Sequence, residues 1–152
     1  MKLGDYTVGA PSSARQLADY FDLRWRILRA PWGQPRGSER DEHDDSAKHC
    51  VALDERGRVI GAGRLHLLDD TSAQIRYMAV EPEYRGRGVG RAIASYLEVS
   101  ARQSGARELY VDARESAAEF YSRMGYEAVG PAHTSFGEIA HVRMTKTLLH
   151  PH

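Results

Sequence analysis

Between Met78 and Arg91 the chain reads MAVEPEYRGRGVGR, a short apolar run at Met78–Val80 that leads into Gly86, Gly88 and Gly90. Beyond it Val89, Ile93, Leu97 and Ala101 recur every fourth residue, which predicts a helix from Gly88 to Gln103, closed by Gly105. The segment is therefore a strand, a glycine-rich turn and a helix start. Glycines let backbone N–H groups approach an anion without a Cβ in the way. The first turn of a helix adds unpaired donors and a positive dipole end. Arg85, Arg87 and Arg91 add formal charge. The chemistry suited to this turn is a diphosphate. A Walker loop is excluded, because Arg91 and Ala92 follow Gly90 where Lys and Ser/Thr are needed. A dinucleotide fingerprint is excluded too, because its third glycine would fall on Arg91 or on Ile93.

The rest of the chain supplies layers around this turn. Leu17, Phe21, Trp25 and Leu28 form an apolar stripe, predicting a helix over Ser12 to Arg29 that stops before Pro31. A short strand is expected before it, at Asp5 to Gly9. Ala30 to Ser46 is irregular, acidic and broken by prolines and glycines, the pattern of a long loop, with a helical turn expected near Glu39 to Asp45. Cys50–Leu53, Val59–Leu68 and Ala73–Val80 read as a strand meander. Glu108–Asp112 reads as a strand, Ser116–Met124 as a short helix, and Glu127–Val129 and His141–Thr147 as the last strands. This order predicts an α/β layer fold with a partly antiparallel sheet.

Composition narrows the class. The 152 residues are 41% hydrophobic and 28% charged, with 21 basic and 21 acidic side chains. That balance suits one ordinary globular domain, read here as 1–152, and offers no field for nucleic acid or an anionic membrane. No apolar stretch approaches the roughly 20 residues of a bilayer span. A single cysteine, Cys50, allows no internal disulfide and reads as a small apolar strand residue. A cytoplasmic setting is expected. No metal site is expected, since His43 and His49 match no specific ligand spacing.

The pattern Arg85-x-x-Gly88-x-Gly90, behind a strand ending Ala-Val-Glu-Pro, resembles the pyrophosphate-binding motif of the GNAT superfamily of acyl-CoA-dependent acetyltransferases. One helix and one strand later, Ala117-Ala118-Glu119-Phe120-Tyr121-Ser122-Arg123-Met124-Gly125-Tyr126 resembles that superfamily's second block. The likeness covers about residues 47 to 147. Locally, Leu23–Trp32 and Gly37–Asp41 are similar to the ElaA-like and YiiD-type branches. The YiiD type carries a further thioesterase-like domain, which is not expected here.

The resemblance implies a GNAT-like mixed, mostly antiparallel sheet, splayed between two central parallel strands, with helices on both faces. It implies acetyl-CoA as acyl donor and direct attack by an acceptor, most simply a primary amine of a small molecule or protein, in a ternary complex. Transfer to a thiol of a carrier protein, or an acyl-CoA sensor without turnover, are the competing readings. By resemblance the backbones of Met78, Ala79 and Val80 hold the pantetheine and thioester. The turn from Arg85 through Gly86, Arg87, Gly88, Val89 and Gly90 to Arg91 holds the pyrophosphate, with Phe120 and Tyr121 beside it. Tyr121 matches the tyrosine that protonates the departing thiolate. Arg114 stands where many relatives have Asn, so it pairs with a phosphate or the donor is held differently. Glu39 is a candidate base among the acidic residues of the 39–45 loop, which otherwise read as solvated. His133, His141, His150 and His152 read as surface residues. A monomer is expected, or a homodimer built on the 131–137 segment.

Overall fold

The computed structural model describes residues 2, 3, 5–137 and 139–148; His150 and His152 lie outside them. The chain runs β1 (Lys2–Leu3), β2 (Tyr6–Gly9), α1 (Ala14–Leu28), β3 (Lys48–Asp54), β4 (Val59–Leu67), β5 (Ser72–Val80), α2 (Val89–Gln103), β6 (Glu108–Arg114), α3 (Ala118–Arg123), β7 (Glu127–Ser135) and β8 (Ile139–Thr147). The strands make one sheet in the order β1-β2-β3-β4-β5-β6-β8-β7. Every neighbouring pair is antiparallel except β5–β6. This is the mixed, mostly antiparallel sheet that the resemblance implies.

Helices cover both faces. Ser13 caps α1 by accepting from the Gln16 N–H at 3.1 Å. Gly88, with positive φ, opens α2 with no side-chain cap. On the α2 face Val89, Ile93 and Leu97 pack with Ile75, Leu109 and Met144. Each such side chain contributes about 1.5–3 kcal/mol by leaving water. On the other face α1 packs Tyr20, Phe21 and Leu23 on Val51, Val59 and Ala62.

The buried side of α1 is rotated from the predicted stripe. Leu17 is exposed, whereas Tyr20 and Arg24 are fully buried. The cause is the 30–46 segment. After a short 3-10 turn at Ala30–Trp32 it runs through successive turns, and it folds Asp41 and Asp44 under α1. Arg24 donates to Asp44 at 2.9 Å, Arg64 to Asp41 at 2.5 Å, and Arg76 to Asp41 at 3.1 Å. These carboxylates are paired, not solvated. Burial alone would raise the pKa of Asp41, but the Arg64 guanidinium and the His43 N–H that it accepts pull it down to about 2.

β7 also runs further than expected, through Pro131 to Ser135. It is an edge strand with register shifts on both sides of Pro131, where the missing N–H costs no ladder bond. Its 131–135 stretch pairs with β8 of the same chain.

Candidate active site

The geometry of the site comes from one irregularity in β5. Against β4 the register slips between Ala62 and Arg64, so the strand bulges opposite Gly63. Tyr77 takes a left-handed φ of 58° there, which is rare outside glycine. β5 keeps its pairing with β4 as far as Val80, but its parallel pairing with β6 stops at Ile75–Val111. From Arg76 to Val80 on one strand and from Asp112 to Arg114 on the other, the facing edges pair with no strand across the gap. Unpaired backbone donors and acceptors are thus presented along a cleft.

The bulge also sorts side chains. Met78 and Val80 pack toward the α2 side, with the main core cluster. Tyr77 lies on the α1 side, where the Arg24 guanidinium sits 3.7 Å from its ring centroid. The cleft widens into a cavity of about 590 Å³ lined by residues of both sides. Such a volume suits a bound small molecule.

On the α2 side stand most of the residues singled out in the sequence. Met78, Ala79, Val80, Arg85, Gly90, Phe120 and Tyr121 line the cavity. Gly86 and Gly88 hold positive φ of 79° and 83°, so the turn needs glycine for its backbone rather than for space. At Gly90 a Cβ would meet Phe120 at 3.6 Å, an ordinary contact. The Tyr6 hydroxyl donates to the Arg87 carbonyl at 3.2 Å and anchors the turn from below. Arg87 faces Asp5 at 3.5 Å. Arg85 and Arg91 are exposed and make no ion pair among the described residues. Val89 is buried and serves the core. A diphosphate fits this turn: its cap is bare, its backbone is open, and Arg85 and Arg91 make no ion pair among the described residues.

Tyr121 is 4% exposed, yet it lines the cavity. Phe120 and Tyr126 pack edge-on against it, with ring centroids 4.9 and 5.5 Å away. Burial alone raises the pKa of its hydroxyl, so the phenol is fully protonated at neutral pH.

The α1 side holds residues that sequence reasoning missed. Arg29 and Arg76 line it, as do His133, Phe136 and His141. His133 and His141, read as surface residues, stack with centroids 4.4 Å apart. His133 is exposed and stands 3.9 Å from Asp112, whereas His141 is partly buried. Asp112 is itself gripped by Arg143 at 2.8 and 3.0 Å. The His141 Nδ1 lies 3.0 Å from the Ile139 carbonyl, which can only accept, so this contact favours the neutral ring with its proton on Nδ1. Burial, then the His133 ring beside it, lowers the His141 pKa. No local motif marks these histidines; only the strand pairing of β7 with β8 brings them together.

Glu39 does not line the cavity. Its carboxylate accepts from the Gly37 N–H at 2.8 Å and from Arg40 at 3.3 Å, which makes it a brace for the 37–40 turn. Arg114 does line the cavity, on the α1 side of β6 and not at the glycine turn. Cys50 is buried, and burial pushes its thiol up to about 12, so it is no nucleophile at neutral pH. Among the described residues no three His, Cys, Asp or Glu side chains gather as a metal ion requires. No helix among them is long and apolar enough to cross a membrane.

The comparisons with known proteins agree with this architecture. The Acetyltransferase (GNAT) family model matches residues 17–126. The uncharacterized N-acetyltransferase YjcF of Bacillus subtilis (strain 168) is 29% identical over 131 residues, covering 86% of this chain and 92% of the relative. Among solved structures, Escherichia coli ElaA superposes with a TM-score of 0.77 at 19% identity, covering 93% of this chain and 97% of that one. A GNAT family acetyltransferase from Elizabethkingia anophelis with acetyl-CoA bound gives a TM-score of 0.74 at 15% identity, covering 96% of this chain and all of that one. At these identities the two structures establish the shared fold.

Proposed function

The chain belongs to the GNAT acetyltransferase family, and from that premise we propose that residues 1–152 act as one acetyltransferase domain moving an acetyl group from acetyl-CoA to a primary amine in a ternary complex. The observation that carries the reading is the splay. β5 and β6 separate beyond Ile75–Val111 while β5 stays anchored to β4 as far as Val80.

Acetyl-CoA supplies the acetyl group as a thioester, whose C–S bond breaks as a C–N bond to the amine forms. The chain has four tasks around that exchange. The glycine turn from Arg85 to Arg91 holds the pyrophosphate through backbone N–H groups and the start of α2. The open edge of β5 at Met78, Ala79 and Val80 holds the pantetheine, and an N–H at Met78 or Ala79 polarises the thioester carbonyl. Tyr121, buried and protonated, gives its proton to the departing sulfur. His141 takes the amine proton at Nε2, which is why a neutral ring with Nδ1 tied to a carbonyl matters. Amine and donor meet from opposite faces of the sheet, because the bulge sends Tyr77 one way and Met78 the other. A free, buried Cys50 supports a reducing, cytoplasmic setting.

The test is release of CoA thiol from acetyl-CoA against a panel of amines and thiols, with Tyr121→Phe alongside. Turnover with amines that falls sharply in the variant supports the reading. Turnover confined to thiols would move the acceptor to a carrier-protein or small-molecule thiol. Binding of acetyl-CoA without turnover of any acceptor would leave a sensor.

A further inference from the structure

The α1 side of the cavity carries two guanidinium charges that form no ion pair among the described residues. Arg29 ends α1 and Arg114 ends β6, and both are partly buried along the cavity wall. Arg29 donates to the Leu28 carbonyl at 3.2 Å and Arg114 reaches the same oxygen at 3.5 Å, so the two guanidiniums meet on one carbonyl. Neither makes an ion pair among the described residues. Two of the acids on this side are already engaged: Asp41 by Arg64 and Arg76, Asp112 by Arg143. Burial lowers the pKa of both arginines, and the charge of Arg29 lowers that of Arg114 further. Guanidinium groups stay protonated regardless. Two like charges drawn together out of water are costly unless a counter-ion completes the group.

The rest of the wall describes the remainder of that ligand. Phe136 is exposed at the cavity rim, stacked on Trp32, with the Arg29 guanidinium 5.6 Å from its ring centroid. Tyr77 forms the inner wall, 5.5 Å from the same guanidinium.

We propose that the acceptor amine carries an anionic group, a carboxylate or a phosphate, seated between Arg29 and Arg114, beside a flat or apolar body packed on Tyr77 and Phe136. This rests on the transferase reading and narrows it to amino-acid-like or phosphorylated amines, against polycationic ones. It also gives Arg114 a role on the acceptor side rather than on the donor's phosphates.

The experiment compares matched acceptors within each protein. L-phenylalanine is set against L-phenylalaninamide and phenylethylamine, and phosphoethanolamine against ethanolamine. The readout is the ratio of kcat/KM for the anionic member to that for its neutral partner. A charge-assisted pair predicts a ratio of about tenfold or more in the wild type. The ratio should fall toward one in Arg114→Gln and return in part in Arg114→Lys. The carboxylate and phosphate series show which anion is preferred. A wild-type ratio near one in both series overturns the proposal while leaving the transferase intact. So does an unchanged ratio in Arg114→Gln with a raised KM for acetyl-CoA, which would put Arg114 on the donor. If no amine turns over, the transferase reading fails on its own. The anion site is then decided by calorimetric titration of L-phenylalanine and phenylethylamine into the CoA-loaded protein: preference for the carboxylate upholds it, equal binding or none overturns it.

Discussion

Gly63 lies opposite the β5 bulge, and the tightness of the sheet there can be tested with one methyl group. A Cβ built at Gly63 would stand 2.5 Å from Ile93 Cγ2, 2.7 Å from Met78 Sδ and 3.1 Å from Leu97 Cδ1. Carbon atoms in contact prefer about 3.5–4.0 Å, so roughly 1 Å of movement is required in a layer where Ile93 and Leu97 are fully buried. Overpacking of this kind costs about 1–3 kcal/mol, partly offset by about 0.4–1 kcal/mol from the stiffer unfolded chain. For a chain of this size each kcal/mol shifts the midpoint by about 2–4 °C, so Gly63→Ala should melt a few degrees lower. Met78 is the side chain able to yield, and it lines the cavity, so the KM for acetyl-CoA should rise as well. Thermal melting and an acetyl-CoA saturation curve read both effects. Gly90→Ala is the control for stability. Its Cβ meets Phe120 at an ordinary 3.6 Å, and alanine favours a helix by up to about 1 kcal/mol, so it should melt no lower than wild type. A Gly63→Ala protein with wild-type melting and wild-type KM would refute the idea that β4, the bulge and α2 are packed to a fixed spacing.

Other perturbations have equally definite outcomes. Tyr121→Phe should lower kcat by about 10²–10⁴-fold with little change in acetyl-CoA affinity, in stopped-flow or steady-state thiol release. Gly88→Ala forces a Cβ onto a φ of 83° at about 1–2 kcal/mol, and should weaken acetyl-CoA binding by calorimetry. His141→Gln should flatten the acidic limb of the kcat/KM profile, whose midpoint in the wild type lies below an ordinary histidine because burial disfavours the charged ring. His66 is driven from 6.5 to about 4 by burial, by Arg64 and by His43. The unfolded chain therefore binds this proton first. Stability is fully present above pH about 6.5 and drains as pH falls toward about 4, and acid melts of His66→Gln should lack that window.

The local parts of the site were legible in the sequence. The glycine turn needs positive φ at Gly86 and Gly88, and a strand must precede it and a helix follow, so a short stretch carries its own geometry. The Ala117–Tyr126 block is local in the same way, and placed Tyr121 at the cavity. What could not be read was built from distant segments. Arg29, Arg114, His133 and His141 come from α1, β6, β7 and β8, and share a wall only because β8 threads between β6 and β7. The acidic loop misled for a physical reason. Asp41 and Asp44 look solvated in sequence, but they neutralise Arg24 and Arg64, which hydrophobic periodicity assigns to the surface. Their burial turned α1 from its expected stripe and removed the loop's carboxylates from the acceptor side. β7 passed through Pro131 because an edge strand tolerates it.

The splay between β5 and β6 as the seat of the donor is tested most directly by amide hydrogen exchange with and without acetyl-CoA. The account predicts new protection at Ala79 and Val80 and across Gly88 to Arg91, with the amides of β3 unchanged. Acetyl-CoA binding that leaves those two segments unprotected, or that protects β7 and β8 instead, would contradict it.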